Sequence, residues 1–205
     1  MSARDEILAA VRANRPQGEH ALPDLPAFPF DDGGALTACF LRNLEAMGGN
    51  GLESGDIADL LRERFPAATT IASAVPEYRG NRDLTSIAHP RDLADVDVAI
   101  VRARFGVAET GSVLLTDDAL ITNAVAYLAQ HLVVLLSRAD ILPTLQEAYR
   151  REEFQKHRYA SFHTGPSATA DIEGVLIHGA QGVRSLTVVL SKRGKAVPSE
   201  IRVND

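Results

Sequence analysis

Four short apolar runs constrain the fold of this chain more than any other feature of its sequence. They lie at residues 69–72, 96–101, 132–136 and 186–190 and are rich in valine, isoleucine, leucine and threonine. Most are too continuously apolar for a sheet that exposes one face to water, whereas parallel strands buried on both faces have this composition. Helical patterns separate the later runs, so the sequence predicts an open α/β sheet covered on both faces.

The N-terminal part of the chain is predicted to be separate from this sheet. Ser2 and Asp5 have the spacing of a capping box, which predicts a short helix. Prolines recur through residues 16–32 and interrupt regular structure, which indicates an extended arm. We therefore expect an N-terminal helix and proline-rich arm over residues 1–32 and an α/β domain over residues 33–205.

Four more helices are expected around the sheet. An apolar stripe at helical spacing covers residues 36–47, and a second helix is expected to be capped by Ser54 and to stop before Pro66. Asp140 is expected to cap a third helix. A fourth helix is predicted over about residues 168–178, with its apolar side chains facing inward.

Charge and hydropathy argue against several classes of function. The 205 residues include 21 Lys and Arg against 27 Asp and Glu, a net charge of −6. Non-specific binding to nucleic acids depends on cationic side chains that neutralise phosphates, so no nucleic-acid partner is expected. The N-terminus lacks the apolar core of a signal peptide, and polar residues interrupt the most apolar stretch, residues 119–136. We expect a cytoplasmic protein that does not insert into membranes.

The chain has a single cysteine, Cys39. One cysteine cannot close an intramolecular disulfide or hold an iron–sulfur cluster of the usual ligation. No pair among the six histidines has HExxH-type spacing, so no metal site is predicted, and His131 is expected to be a hydrogen-bonded core residue. The sequence names no cofactor, and redox chemistry would require an organic cofactor or a partner protein.

The segment after the second apolar run contains a candidate catalytic residue. In open parallel sheets ligands bind beyond the carboxyl ends of the strands, and Glu109 follows such an end between Gly106 and Gly111. A carboxylate on this kind of turn can serve as a nucleophile, a base or an acceptor for ligand hydroxyl groups. A hairpin with a solvated glutamate has the same pattern. Thr110 and Ser112 complete the candidate binding segment with Gly111.

A second candidate segment precedes the fourth predicted helix. Ser167 or Thr169 is a good N-cap, and the free N–H groups of a helix start can bind an anion. Gly165 allows a phosphate or carboxylate to approach closely, and His163 adjoins the same loop. Asp171 argues the other way, because its charge in the first turn would complement the helix dipole. An anion site and simple capping both fit this pattern.

Four segments resemble the lactate-utilisation protein C (LutC/YkgG) family of LUD-domain proteins in order and spacing. They are GVAETGSVLL from residue 106, QHLVVL from residue 130, GPSATADIE from residue 165 and GAQGVR from residue 179. The resemblance, which covers about residues 35 to 191, implies a three-layer α/β/α sandwich with a mostly parallel sheet, as in CoA-transferases and ribose-5-phosphate isomerase. The positions that match the family's motifs, and that the resemblance offers as site residues, are Glu109, Thr110, Gly111, Gly165, Ser167, Thr169 and Asp171.

The same resemblance implies a role in the oxidation of L-lactate to pyruvate. In that role the chain would be a non-redox subunit or accessory protein that works with iron–sulfur partner proteins and binds a small anionic ligand. The single cysteine agrees with this, because cluster-binding cysteines are absent from the sequence. Two other interpretations stay open. One is a stand-alone enzyme that acts on a phosphorylated or CoA-linked metabolite through Glu109, and the other is a scaffold without an active site.

Overall fold

The protein has an α/β fold built from short elements. The computed structural model describes residues 2–16, 18, 26, 28–171 and 174–191. Its helices are α1 (Ala3–Ala13), α2 (Leu36–Ala46), α3 (Ile57–Arg64), α4 (Asp117–Leu120), α5 (Val125–Leu128), α6 (Leu145–Tyr149) and α7 (Glu153–Lys156). Its strands are β1 (Asn50–Leu52), β2 (Ile71–Ser73), β3 (Val98–Arg102), β4 (Gly106–Val107), β5 (Ser112–Thr116), β6 (His131–Ser137), β7 (Ile141–Leu142), β8 (Ala160–His163), β9 (Ala168–Thr169), β10 (Ile177–His178) and β11 (Ser185–Ser191).

A parallel sheet of five strands, in the order β1-β11-β6-β3-β2, forms the centre of the molecule. Val98, His131 and Ser185 are aligned at the amino ends of its three middle strands. The four apolar runs are confirmed as β2, β3, β6 and β11. The edge strand β1 was not predicted, because its residues Asn50 and Gly51 resemble the end of a helix rather than a strand.

Helices cover both faces of this sheet, which confirms the predicted three-layer class. Phe40 and Leu44 of α2 are fully buried on one face, where they belong to the larger apolar cluster. On the other face Ile57, Leu60 and Leu61 of α3 are buried in a second cluster with side chains of β3, β6 and β11. The sheet is therefore buried on both sides, as its continuously apolar strands require.

A second, mixed sheet of four strands, in the order β7-β4-β5-β8, was not predicted. Strand β5 pairs antiparallel with both β4 and β8, whereas β4 and β7 are parallel. Val113 and Leu115 of β5 belong to the larger cluster together with α2. The small sheet thus packs on the α2 side of the central sheet.

Two predicted helix starts are wrong. Helix α3 is capped by Asp56 rather than Ser54, because the Asp56 carboxylate accepts hydrogen bonds from the amides of Ala58 and Asp59. Asp140 does not cap a helix, since the next residues pair with β4 as strand β7. Helix α6 starts later and is capped by Thr144, whose side chain accepts a hydrogen bond from the amide of Glu147 at 3.2 Å.

The helix predicted over residues 168–178 is also wrong, because β9 and β10 form an antiparallel hairpin there. The hairpin is held at its base, where the amide of Gly179 donates to the Ser167 carbonyl at 2.8 Å. Val175 and Leu176, which the helix would have buried, are 60% and 59% exposed. Ile172, which the helix would also have buried, lies outside the described residues.

The N-terminal helix is present, and its capping box between Ser2 and Asp5 is confirmed. Residues 17, 19–25 and 27 of the expected arm lie outside the described residues. Where the arm is described, Gln146 of α6 donates to the carbonyl of Pro26 and accepts from the amide of Phe28. Within the described ranges, no helix combines the length and the apolar character needed to cross a membrane.

We expect Phe40→Ala to lower the free energy of unfolding by about 3–5 kcal/mol, because the ring is fully buried between the two sheets and its removal leaves a cavity. Phe28→Ala is the matched control, since Phe28 is 66% exposed. That control should change the stability by no more than about 0.5 kcal/mol. Urea unfolding of both variants tests this, and equal losses in the two would contradict the assignment of α2 to the core.

Candidate functional site

The turn between β4 and β5 lies directly against the backbone of α2. Gly111 has a φ of +67°, and a Cβ added there would lie 2.2 Å from the amide nitrogen of Leu44. The side-chain amide of Asn43 donates to the carbonyl of Ala108 at 2.7 Å and to that of Glu109 at 3.1 Å. Gly111 is therefore explained by close packing on a helix and by its backbone conformation.

The carboxylate of Glu109 is exposed and caps a helix. Its Oε2 accepts a hydrogen bond from the amide of Leu145, the first residue of α6, at 2.9 Å. A negative charge at this end of a helix is favourable, since the first amides of a helix have no partner within it. Among the described residues, no titratable side chain forms a hydrogen bond or ion pair with this carboxylate.

Several of the predicted binding residues meet where β5 and β8 approach α2. The hydroxyl groups of Thr110 and Ser112 are 2.7 Å apart, and that of Ser112 is 2.5 Å from the hydroxyl of Thr164. Gly165 follows with a φ of +70°, and a Cβ there would lie 2.1 Å from the carbonyl oxygen of Met47. These hydroxyl groups bond to one another, and the glycine fits against the end of α2.

Ser167, Thr169 and Asp171 follow Gly165 and lead into the β9–β10 hairpin. The amide of Ser167 donates to the carbonyl of Val183 at 2.9 Å. The hydroxyl of Thr169 donates to Asp171 at 3.5 Å. Because no helix begins here, the expectation of an anion site at a helix N-terminus is wrong. Binding by these side chains themselves stays a prediction.

His163 of β8 is largely buried against the ring of Tyr127, with 5.2 Å between the ring centroids. Its Nε2 is buried and has no hydrogen-bond partner. Loss of solvent disfavours the charged imidazolium and lowers the pKa of His163 to about 4. The hydroxyl of Tyr127 contacts those of Tyr159 and Ser161, and burial raises the pKa of Tyr159 to about 12. His163 is therefore neutral at pH 7.

A cleft of about 800 Å³ opens beyond the carboxyl end of β2. Arg79 and Arg82 lie in the loop that lines it, and Ile121 closes it from the other side. Ile121 has a φ of +63°, and the amide of Thr122 donates to the carbonyl of Leu120 at 2.7 Å, which makes a γ-turn. A β-branched residue in this conformation is strained.

A second cleft, of about 680 Å³, lies beyond the carboxyl end of β3. Arg104 pairs there with Asp118 and donates to Thr116 at 3.2 Å. His157 Nδ1 lies 2.9 Å from Asp117, so the carboxylate orients the imidazole. Such a pair can transfer a proton.

The same cleft offers a possible set of cation ligands. Ligand atoms of Asp117, Asp118 and His157 all lie within 4.8 Å of one another. The histidine nitrogen in this set faces Asp117, and the Asp118 carboxylate is already paired with Arg104. An incoming cation would therefore have to compete with the guanidinium of Arg104.

The sequence analysis predicts neither cleft. The segment after β3 carries the predicted site residues, whereas the loop after β2, residues 73–85, has no motif that singles it out, although ligands also bind beyond such strand ends. His157 and its partner Asp117 are 40 residues apart in the sequence, so no local pattern links them. Only the fold brings these last two side chains together.

Comparison with known proteins identifies the family. Residues 79–191, more than half of the chain, match the LUD domain. The chain belongs to the LUD domain family. It is also similar in fold to a crystal structure of a DUF162 family protein from Deinococcus radiodurans, with a TM-score of 0.55 and 14% sequence identity over 75% of this chain and 96% of that chain. No curated protein matches the sequence.

The LUD domain match includes most residues of both clefts and the turns that carry Gly111 and Gly165. It does not include α2, the helix on which those turns pack. It begins at Arg79 and ends at the last residue of β11, so α1, α2 and α3 lie before it. Gly111 and Gly165, two of the positions that resemble the family's motifs, both pack on α2. Packing therefore accounts for these two glycines without a ligand.

We expect Gly111→Ala to destabilise this LUD domain strongly, by several kcal/mol, because the added Cβ meets helix backbone and the positive φ disfavours alanine. Gly55→Ala is the matched control, since a Cβ at Gly55 meets no atom within 4 Å. Thermal unfolding compares the two variants. Similar midpoints would show that the turn moves away from α2 at little cost.

His163 makes the stability depend on pH. Its pKa in the folded protein, about 4, is below the unfolded value near 6.5, so the unfolded chain takes up the proton first. The stability it supports is complete above pH 6.5 and falls by about 3 kcal/mol as the pH drops from 6.5 to 4. We expect His163→Gln to flatten this part of the stability curve, whereas His178→Gln, at an exposed position, should not. An unchanged slope in His163→Gln would contradict the burial of His163.

Proposed function

We propose that this LUD domain protein is a non-redox subunit or accessory protein, of the lactate-utilisation protein C type, in the cytoplasmic oxidation of L-lactate to pyruvate. Membership of the LUD family fits lactate utilisation in general. The observation that supports a non-redox role is that the single cysteine, Cys39, is buried. A subunit that carried the electrons on an iron–sulfur cluster would need several thiolates.

Cys39 is 2% exposed on the inner side of α2. Its sulfur lies 3.3 Å from a guanidinium nitrogen of Arg42 and 3.9 Å from the carbonyl oxygen of Ala108. A buried thiol with no second cysteine in the chain cannot hold a cluster. We therefore propose that iron–sulfur partner proteins receive the electrons, while this chain contributes binding of a small anionic ligand.

A stand-alone enzyme that uses Glu109 is the alternative. Its carboxylate would have to react while it caps α6 through Leu145. A catalytic base or nucleophile is usually held by a partner that tunes its proton affinity, and Glu109 has no such side chain among the described residues. These contacts support a capping role for Glu109 and favour the subunit over the enzyme.

Reconstitution with iron–sulfur partner proteins tests the proposal. We expect the chain to associate with them and to raise the rate at which L-lactate reduces an electron acceptor. Cys39→Ser should keep that activity, because the thiol carries no electrons and serine can accept from the same donors. Circular dichroism confirms that the variant is folded.

Two results would contradict the proposed role. One is a chain that neither binds the partners nor changes the rate of lactate-dependent reduction. The other is a folded Cys39→Ser variant that binds the partners but has lost the activity, since this would give the thiol a redox function.

A further inference from the structure

We propose that the cleft beyond β2 is an oxyanion-binding site in which Arg79 holds the carboxylate or phosphoryl group of a small organic metabolite. This inference deepens the proposed function, on which it rests for the expectation that the chain binds a small anion. The position fits, because ligands of open α/β sheets bind beyond the carboxyl ends of the strands. Ser73, the last residue of β2, lines the cleft.

Arg79 carries a positive charge that forms no ion pair with the surrounding loop. The other charged groups of the loop have partners: Glu77 pairs with Arg102, and Arg82 pairs with Asp95. Among the residues that the structure describes, Arg79 has no ion pair or hydrogen bond, and its side chain is exposed at the cleft.

The one carboxylate that lines the cleft is also occupied. Asp83 accepts hydrogen bonds from the amide of Thr85 at 2.9 Å and from its hydroxyl at 2.8 Å. Arg82 pairs with Asp95 from outside the lining, and Asp83, which stays charged, forms no ion pair with Arg79 among the described residues. The Arg79 guanidinium can therefore meet a ligand without first breaking an ion pair. A guanidinium presents two parallel N–H donors, which match a carboxylate or a phosphate.

The backbone that follows Arg79 is fixed against the sheet. The side-chain amide of Asn81 bridges the edge of β2, since it accepts from the amide of Ile71 at 2.7 Å and donates to the carbonyl of Thr69 at 2.6 Å. A Cβ on Gly80 would lie 2.4 Å from the carbonyl oxygen of Ile71, so only glycine fits there. These contacts fix the backbone next to Arg79 before a ligand arrives, which reduces the backbone entropy lost on binding.

The walls of the cleft can accept the organic part of a ligand. Val75 and Leu84 are buried at its base, and Tyr78 is half-buried beside them. The strained γ-turn at Ile121 places an apolar side chain that is 44% exposed on the opposite wall. Strained backbone is found most often at ligand sites and switch regions. A cleft of about 800 Å³ also has the size of a metabolite site.

Calorimetric titration of the purified chain with L-lactate, pyruvate, inorganic phosphate and AMP tests the site. We expect at least one of the four probes to bind. Arg79→Gln should weaken that binding by at least about tenfold, which equals ~1.4 kcal/mol. Arg64→Gln is the matched control, because Arg64 is exposed on α3, and it should change the affinity by less than about twofold.

The probe that binds identifies the ligand chemistry. If only L-lactate or pyruvate binds, the ligand group is a carboxylate. If phosphate or AMP binds, it is a phosphoryl group. In NMR spectra of the isotope-labelled protein, the backbone amide signals of Gly80 and Thr122 should shift when the probe is added. The inference is overturned if none of the four probes binds the wild-type chain, or if Arg79→Gln binds as tightly as the wild type.

Failure of this site and failure of the proposed function give different results. The titrations contain no partner protein, so binding that depends on Arg79 can persist even if reconstituted lactate oxidation does not respond to the chain. That result would keep the oxyanion site and remove the role in lactate oxidation. If instead the chain associates with the partners and supports lactate-dependent reduction, but no binding depends on Arg79, the role in lactate oxidation stands and the oxyanion site is removed.

Discussion

The close approach of α2 to two tight turns is the contact on which the rest of the structure depends. Gly111 lies against the backbone of Leu44, and Gly165 lies against that of Met47, at distances that leave no room for a side chain. These contacts fix the β4–β5 turn and the end of β8 on the helix that also covers the central sheet. The small sheet is thereby joined to the large one, and sequence positions that resemble ligand-binding turns are explained by packing.

Because the glycine turns serve packing, the candidate ligand sites lie elsewhere. Arg79 lies in the loop that follows β2, and His157, which lies between α7 and β8, lines the cleft beyond the carboxyl end of β3. Both clefts are thus on the edge where this class of sheet binds ligands. The rigid sheet positions the loops, and the loops carry the chemistry. In the first cleft Arg79 forms no ion pair with a described residue, whereas in the second cleft Arg104 and Asp118 already pair with each other.

The sequence correctly predicts strands and helices that have a clear apolar pattern of their own. Its predictions are wrong where contacts between distant residues determine the secondary structure. The four continuously apolar runs became strands of the central sheet, and the stripe over residues 36–47 became α2. Residues 168–178 also have a helical pattern, but contacts of Ser167 with Val183 and Gly179 hold them as a hairpin. No local signal shows that Glu109 caps a helix through Leu145, since that helix begins 36 residues later.

The claim that ligands bind at the carboxyl edge of the central sheet is tested most directly by a crystal structure. The crystals would be grown with L-lactate and phosphate. We expect an oxyanion within hydrogen-bond distance of the Arg79 guanidinium, with the neighbouring loop unchanged. An oxyanion bound instead at the turn that carries Gly165 and Ser167, with the Arg79 cleft empty, would contradict that claim.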